Sequence, residues 1–211
     1  SVPLKFSKGP ILIKKVYIAG PLFNSHEKEY LEKIAQLLED NGYVCFLPHR
    51  DQKGVSEDEL DQLNMAAATK AKIFNNDLAA LEASDLTVAL LTGQDIDSGT
   101  AAEIGFSYAN KKPVIAAVQG GAIGGGLGLS LVADFRIGCS ESRFSANFSR
   151  LGFHQGFGTT VTLPRVVGNQ SAAMMMLTGR RLKGEELKLL EAKLNFTDKE
   201  IWLQQFSFFS V

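Results

Sequence analysis

Along the chain, short continuous apolar runs alternate with longer stretches in which apolar residues recur at helical spacing. The runs at 15–19, 43–47, 86–91 and 113–118 predict strands. Gly20-Pro21 turns the first run towards a helix, where Leu31, Ile34, Leu37 and Leu38 repeat until Gly42. Asn24 and Glu27 stand at capping-box spacing before them. The second run closes at Pro48, and 54–57 reads as a loop. Ser56 with Glu59 offers another helix start, leading through an alanine-rich segment towards Lys72. Asn75, Asn76 and Asp77 interrupt the following helical stretch, which ends near Ser84. Three small polar residues together imply a junction between helices, or a face turned to a cleft. A further helix leads from Gly99 to about Asn110. Such alternation predicts an α/β fold, a parallel sheet with helices on both faces.

The second half continues with a helix at 124–133 and a strand at 135–139. Residues 144–158, rich in glycine and aromatics, read as loop, and 171–177 as a short apolar helix in which Met174, Met175 and Met176 serve packing. Leucine repeats at helical spacing over 185–194, while 183–193 mixes both signs of charge as a solvated face does. Thr197 with Glu200 suggests a cap for a last helix carrying Trp202, so 187–211 is expected to be a helical tail. The end, Phe206, Phe208, Phe209 and Val211, implies docking on the core or a subunit contact, which leaves a homo-oligomer open.

Composition narrows the partners. With 45% hydrophobic residues the chain has material for a sizeable core, and 22 basic against 23 acidic residues create no field that recruits nucleic acid or an anionic membrane. A small molecule is the expected partner. Cys45 and Cys139 sit in apolar runs, as buried thiols of a reducing, cytoplasmic compartment. His26, His49 and His154 are scattered, so no metal site is expected, and His154 receives no chemistry. No glycine set has G-x-G-x-x-G spacing, and no cofactor is expected. Residues 1–13 lack a signal-peptide core, and no run approaches membrane-spanning length.

The stretch Asp97-Ser98-Gly99-Thr100-Ala101-Ala102-Glu103-Ile104-Gly105 follows the apolar run at 86–91 and opens a helix. It therefore lies at the carboxyl end of a strand, where open α/β sheets place their ligands. Glu103 falls within the first turns, where the helix dipole favours an ionised carboxylate, and Asp97 stands at its edge. A charged carboxylate there is a candidate nucleophile; ordinary helix-start chemistry is the alternative.

Together with Tyr17-Ile18-Ala19-Gly20-Pro21-Leu22-Phe23 and Asn76-Asp77-Leu78, that stretch resembles the nucleoside 2-deoxyribosyltransferase family, over about 14–118. The resemblance implies a flavodoxin-like fold and exchange of the base of a 2'-deoxynucleoside through a covalent deoxyribosyl-enzyme. It implies Glu103 as nucleophile, Asp97 and Asp77 as acids that contact the base and manage its proton, and Tyr17 as an aromatic lining the sugar pocket. Gly99, inside the same motif, joins the substrate-binding set. Breaking an N-glycosidic bond passes through an oxocarbenium-like state, so one carboxylate approaches the sugar while an acid helps the base leave. Transfer to a second base and hydrolysis by water both remain open, as do a deoxynucleoside 5'-phosphate as substrate and a folded chimera without catalysis.

From about 112 to 186 the chain resembles a different family, enoyl-CoA hydratase/isomerase (crotonase). The residues carrying this are Lys112-Pro113-Val114-Ile115-Ala116-Ala117-Val118-Gln119-Gly120-Gly121-Ala122-Ile123-Gly124-Gly125-Gly126-Leu127, then Ala133-Asp134-Phe135-Arg136, then 144–158 and Leu177-Thr178-Gly179-Arg180-Arg181-Leu182. In that family an amide at the position of Gly125 forms half of an oxyanion hole, and the other half comes from a segment expected before Lys112. Here the transferase-like half takes that place. The water-activating glutamates of hydratases fall at Gly128 and Phe148, so hydration is not expected, and Gly124-Gly125-Gly126 reads either as a remnant anion site or as a close-packed strand-to-helix turn. The two resemblances overlap in the strand led by Lys112-Pro113, which implies a chimera. The fragment from 119 to 186 then either completes the same sheet with a crossover helix and a fifth strand, or forms a second imperfect half-domain.

Overall fold

In the computed structural model, the described residues are 13–56, 59, 65–92, 96–189 and 195–196. Four parallel strands begin the central sheet: β1 (Lys15–Ala19), β2 (Val44–Phe46), β3 (Leu86–Thr92) and β4 (Val114–Gln119). They alternate with helices α1 (Ser25–Asp40), α2 (Ala67–Ala83) and α3 (Ser98–Ala109). After β4 come a short strand β5 (Gly121–Ile123), helix α4 (Gly125–Val132), and β6 (Phe135–Gly138), which pairs with β4. The fragment beyond residue 119 thus adds a strand to the sheet that the first half begins.

Alternation along the strands divides the core. Tyr17, Ala19, Ala89, Leu91, Ala116 and Val118 face one side with Leu81 of α2, Ile104 of α3 and Leu127 of α4. Val16, Ile18, Val88, Leu90, Ile115 and Ala117 face the other, against Leu31, Ile34, Ala35 and Leu38 of α1. Strands buried on both faces read as unbroken apolar runs, which is why β3 and β4 are so plain in sequence.

Local chemistry sets the helix ends. At α1 the capping box forms: Asn24 Oδ1 accepts from the Glu27 amide at 2.9 Å, and Glu27 Oε2 accepts from the amides of Phe23 and Asn24 at 2.9 and 3.3 Å. Ser56 and Glu59 bond reciprocally in the same way. The rest of the helix expected there lies outside the described residues until Ala67. Asn75, Asn76 and Asp77 do not break α2, which runs unbroken from Ala67 to Ala83. Asn76 and Asp77 instead bond to Gln52, and tertiary hydrogen bonds outweigh the modest helix propensity of these residues. The carboxyl end of α2 is closed by Lys112, whose Nζ donates to the carbonyls of Leu81, Glu82 and Ser84 at 2.6, 2.7 and 2.6 Å.

Beyond β6 the expectation of loop over 144–158 is corrected in part. Strands β7 (Arg143–Ser145) and β8 (Leu182–Lys183) join β5 in a second sheet of order β5-β7-β8. A 3₁₀ turn follows β7 at Asn147–Leu151. Helix α5 (Thr159–Val167), obscured in sequence by its internal Pro164, precedes α6 (Asn169–Thr178), in which Met175 is buried. α7 (Gly184–Leu189) and β9 (Asn195–Phe196), paired with β6, are the last described elements. Among the described residues the central sheet then has six parallel strands in the order β2-β1-β3-β4-β6-β9. The cap expected at Thr197 and Glu200, Trp202 and the apolar end Phe206 to Val211 lie outside the described residues.

Candidate functional site

Tyr17 occupies the middle of β1, fully buried, with its ring stacked on Phe46 of β2 at a centroid distance of 5.5 Å. Its hydroxyl donates to Oε1 of Glu103, in the second turn of α3, at 2.6 Å. Burial pushes the Glu103 carboxyl up to about 7; the Tyr17 bond works against this, and the nearby charges of Asp77 and Asp97 reinforce it. Burial, then the charges of Glu103 and Asp77, raise the Tyr17 hydroxyl well above its ordinary range, so it stays a proton donor.

Asp77 enters from α2. Burial raises its carboxyl to about 6, opposed by a hydrogen bond from Gln52 Nε2 to Oδ1 at 2.7 Å. Gln52, only 8% exposed, belongs to the loop after β2. Its Nε2 also donates to Pro48 O at 2.8 Å, while its Oε1 accepts from Asn76 Nδ2 at 3.1 Å.

Asp97 is the N-cap of α3: its Oδ2 accepts from the amide and hydroxyl of Thr100 at 2.8 and 2.9 Å. Gly99 permits that arrangement, since a Cβ there would lie 3.0 Å from the same oxygen. Tyr17, Asp77, Asp97 and Glu103 therefore share one electrostatic neighbourhood. Phe46 and Gln52 belong to it as well, and periodicity alone marks neither.

Gly125 opens α4, and its surroundings are apolar. The Phe157 ring lies 3.8 Å from where a Gly125 Cβ would stand, Ile96 lies 3.4 Å from that of Gly126, and the Phe157 Cβ is 2.4 Å from that of Gly128. Phe148 packs against Gly156 and Gly124. The positions where hydratases carry glutamates thus hold a glycine without room for a side chain and a packed aromatic ring.

A cavity of about 440 Å³ runs beside β2 and α2, with Phe46, Lys53, Asn76 and Ala80 among its walls. It adjoins Phe46, on which Tyr17 stacks, without reaching Glu103. Among the described residues no group of three or more His, Cys, Asp and Glu side chains could hold a metal ion, and no helix is long and apolar enough to cross a membrane.

Comparison with known proteins finds two families in one chain. Residues 99–190 match Enoyl-CoA hydratase/isomerase. A crotonyl-CoA hydratase of Syntrophomonas wolfei subsp. wolfei is 44% identical over 78 residues, 37% of this chain and 30% of that protein. The chain thus spans less than a third of that relative's length. Among solved structures, an enoyl-CoA hydratase from Thermoplasma volcanium GSS1 superposes with a TM-score of 0.52 at 24% identity, covering 72% of this chain and 68% of that one. A probable enoyl-CoA hydratase/isomerase from Mycobacterium abscessus gives 0.52 at 22%, covering 66% and 64%. These likenesses describe the fold: a parallel central sheet with helices. The other match, described as Nucleoside 2-deoxyribosyltransferase, spans residues 16–124 and contains Tyr17, Asp77, Asp97 and Glu103. With just over half of its length in that match, the chain belongs to the nucleoside 2-deoxyribosyltransferase family.

Proposed function

We propose that this chain cleaves or exchanges the N-glycosidic bond of 2'-deoxynucleosides through a covalent intermediate on Glu103. The observation that carries this reading is the Tyr17 to Glu103 hydrogen bond beside Asp77. In the first step a Glu103 oxygen forms a bond to the anomeric carbon. The electron pair of the breaking C–N bond goes to the base, which takes a proton from Asp77 or Asp97. In the second step a new base, or water, attacks the same carbon and gives its proton to the carboxylate that protonated the first base, while Glu103 leaves as a carboxylate. Tyr17 donates to the ionised nucleophile, which fixes the orientation of the carboxylate before attack and again as it leaves.

The crotonase-like part supplies α4 and β6 to the sheet in this reading, and no acyl-CoA chemistry. The lack of space at Gly128 and the apolar cover on Gly125 support that assignment.

The test is chromatography of the products formed from a 2'-deoxynucleoside, with and without a second free base, beside Glu103→Ala. A new deoxynucleoside that requires Glu103 is the expected result and establishes transfer; free base alone establishes hydrolysis. Absence of both products from the unsubstituted chain overturns the proposal.

A further inference from the structure

We propose that Asn76 and Gln52 form a relay of two side-chain amides that fixes the polarity of Asp77, so that the proton of its neutral form resides on Oδ2; this rests on the reading of Asp77 as an acid of the site. Two backbone carbonyls of the loop after β2 anchor the relay, and a carbonyl can only accept. Asn76 Nδ2 lies 3.1 Å from Lys53 O, so that end of the Asn76 amide is its NH₂ group. Its other N–H reaches Gln52 Oε1 at 3.1 Å. At the far end, Gln52 Nε2 lies 2.8 Å from Pro48 O, so that end is likewise NH₂. Its remaining N–H points at Asp77 Oδ1, 2.7 Å away. The backbone thus sets both amide orientations, which coordinates alone leave ambiguous.

An N–H directed at Oδ1 favours the carbonyl form of that oxygen, the better acceptor, so the neutral acid carries its hydrogen on Oδ2. Gln52 is buried, so water does not substitute for it. Asn76 touches neither of the acids assigned to the reaction through its side chain; it acts through Gln52 and is a positioning residue. Glu103 and Tyr17 are titratable groups that sense the charge of Asp77.

The experiment is a carbon-detected NMR titration of the Asp77 carboxyl in the full chain, assigned by its loss in Asp77→Asn. Asn76→Leu removes the donor that holds Gln52 Oε1 and leaves Pro48 O alone to orient the Gln52 amide. With Oε1 unheld the Gln52 amide is less firmly placed, its N–H to Asp77 Oδ1 weakens, and the midpoint rises by about half a pH unit or more. Gln52→Met deletes the donor outright and raises the midpoint at least as far; it carries the test if Asn76→Leu does not fold. In base release, the alkaline limb of the rate profile moves up with the midpoint, in kcat more than in KM. An unchanged midpoint in the folded variants overturns the relay. Failure of the enzymatic reading is separately visible, as an unsubstituted chain that forms no product while the Asp77 midpoint still responds to both substitutions as described.

Discussion

The phenolic hydroxyl of Tyr17 meets Oε1 of Glu103 at 2.6 Å, joining the middle of β1 to the second turn of α3 across 86 positions of sequence. The bond needs both partners fixed, and each is: Tyr17 by the sheet and by Phe46, Glu103 by the helix that Asp97 caps.

Removing the donor should therefore be read in the pH profile. Tyr17 lowers the Glu103 carboxyl by stabilising its charged form, against the rise to about 7 that burial causes. In Tyr17→Phe the carboxyl rises further, and less of it is ionised near neutral pH. Base release there is expected to fall about tenfold for every pH unit that the carboxyl climbs, and to recover as the pH is raised. A Tyr17→Phe profile that overlays the unsubstituted one refutes the assigned role.

Stability gives an independent measure of the same carboxyl. Glu103 is raised from 4.5 to about 7 and Asp77 from 3.8 to about 6 in the folded chain. Folded protein therefore holds protons that unfolded protein has released, and stability falls as pH rises between the ordinary and the raised values. Glu103→Gln removes the larger share of that loss while keeping an acceptor for Tyr17. It should stabilise the chain by about 1–3 kcal/mol above neutral pH, with the difference vanishing below about pH 4. Urea midpoints at the two extremes decide it; a variant less stable at high pH contradicts the burial of a charged carboxylate.

Two glycine substitutions separate packing from helix propensity. At Gly128 in α4 a new Cβ meets Phe157 at 2.4 Å, whereas at Gly105 in α3 nothing lies within 4 Å. Gly128→Ala is expected to cost about 1–3 kcal/mol through overpacking. Gly105→Ala should instead gain about 0.5–1 kcal/mol from helix propensity. Thermal melts of both variants check the contrast, and a neutral Gly128→Ala would show that Phe157 does not pack against α4.

What the sequence made legible follows from how far each signal reaches. The apolar run ending at Leu91, the box formed by Asn24 and Glu27, and the cap at Asp97 are local, and each appears within a few residues of its expected place. Gln52 is invisible in sequence because its partner Asp77 lies 25 positions away and nothing periodic surrounds it. The same contact explains why Asn76 and Asp77 sit within a continuous helix where local propensity suggests a break. Strands β5, β7 and β8, of two or three residues each, are too short for an alternation to register. Tyr17 and Glu103 can be paired only through the family motif, since no spacing rule connects a strand centre to a helix beyond the next strand.

β4 bonds to β3 along one side and to β6 along the other, and the Asp134 carboxylate accepts from its first amide, on Val114, at 2.9 Å. The two family matches also overlap across this strand, from residue 99 to 124. A gene cut after β4 would therefore encode a product ending in a bare edge, Val114–Gln119, whose residues Val114 to Val118 are all buried here. Such edges recruit other chains. The second half thus pairs the edge that the first half would leave open, a service to the whole that needs none of the chemistry its relatives are named for.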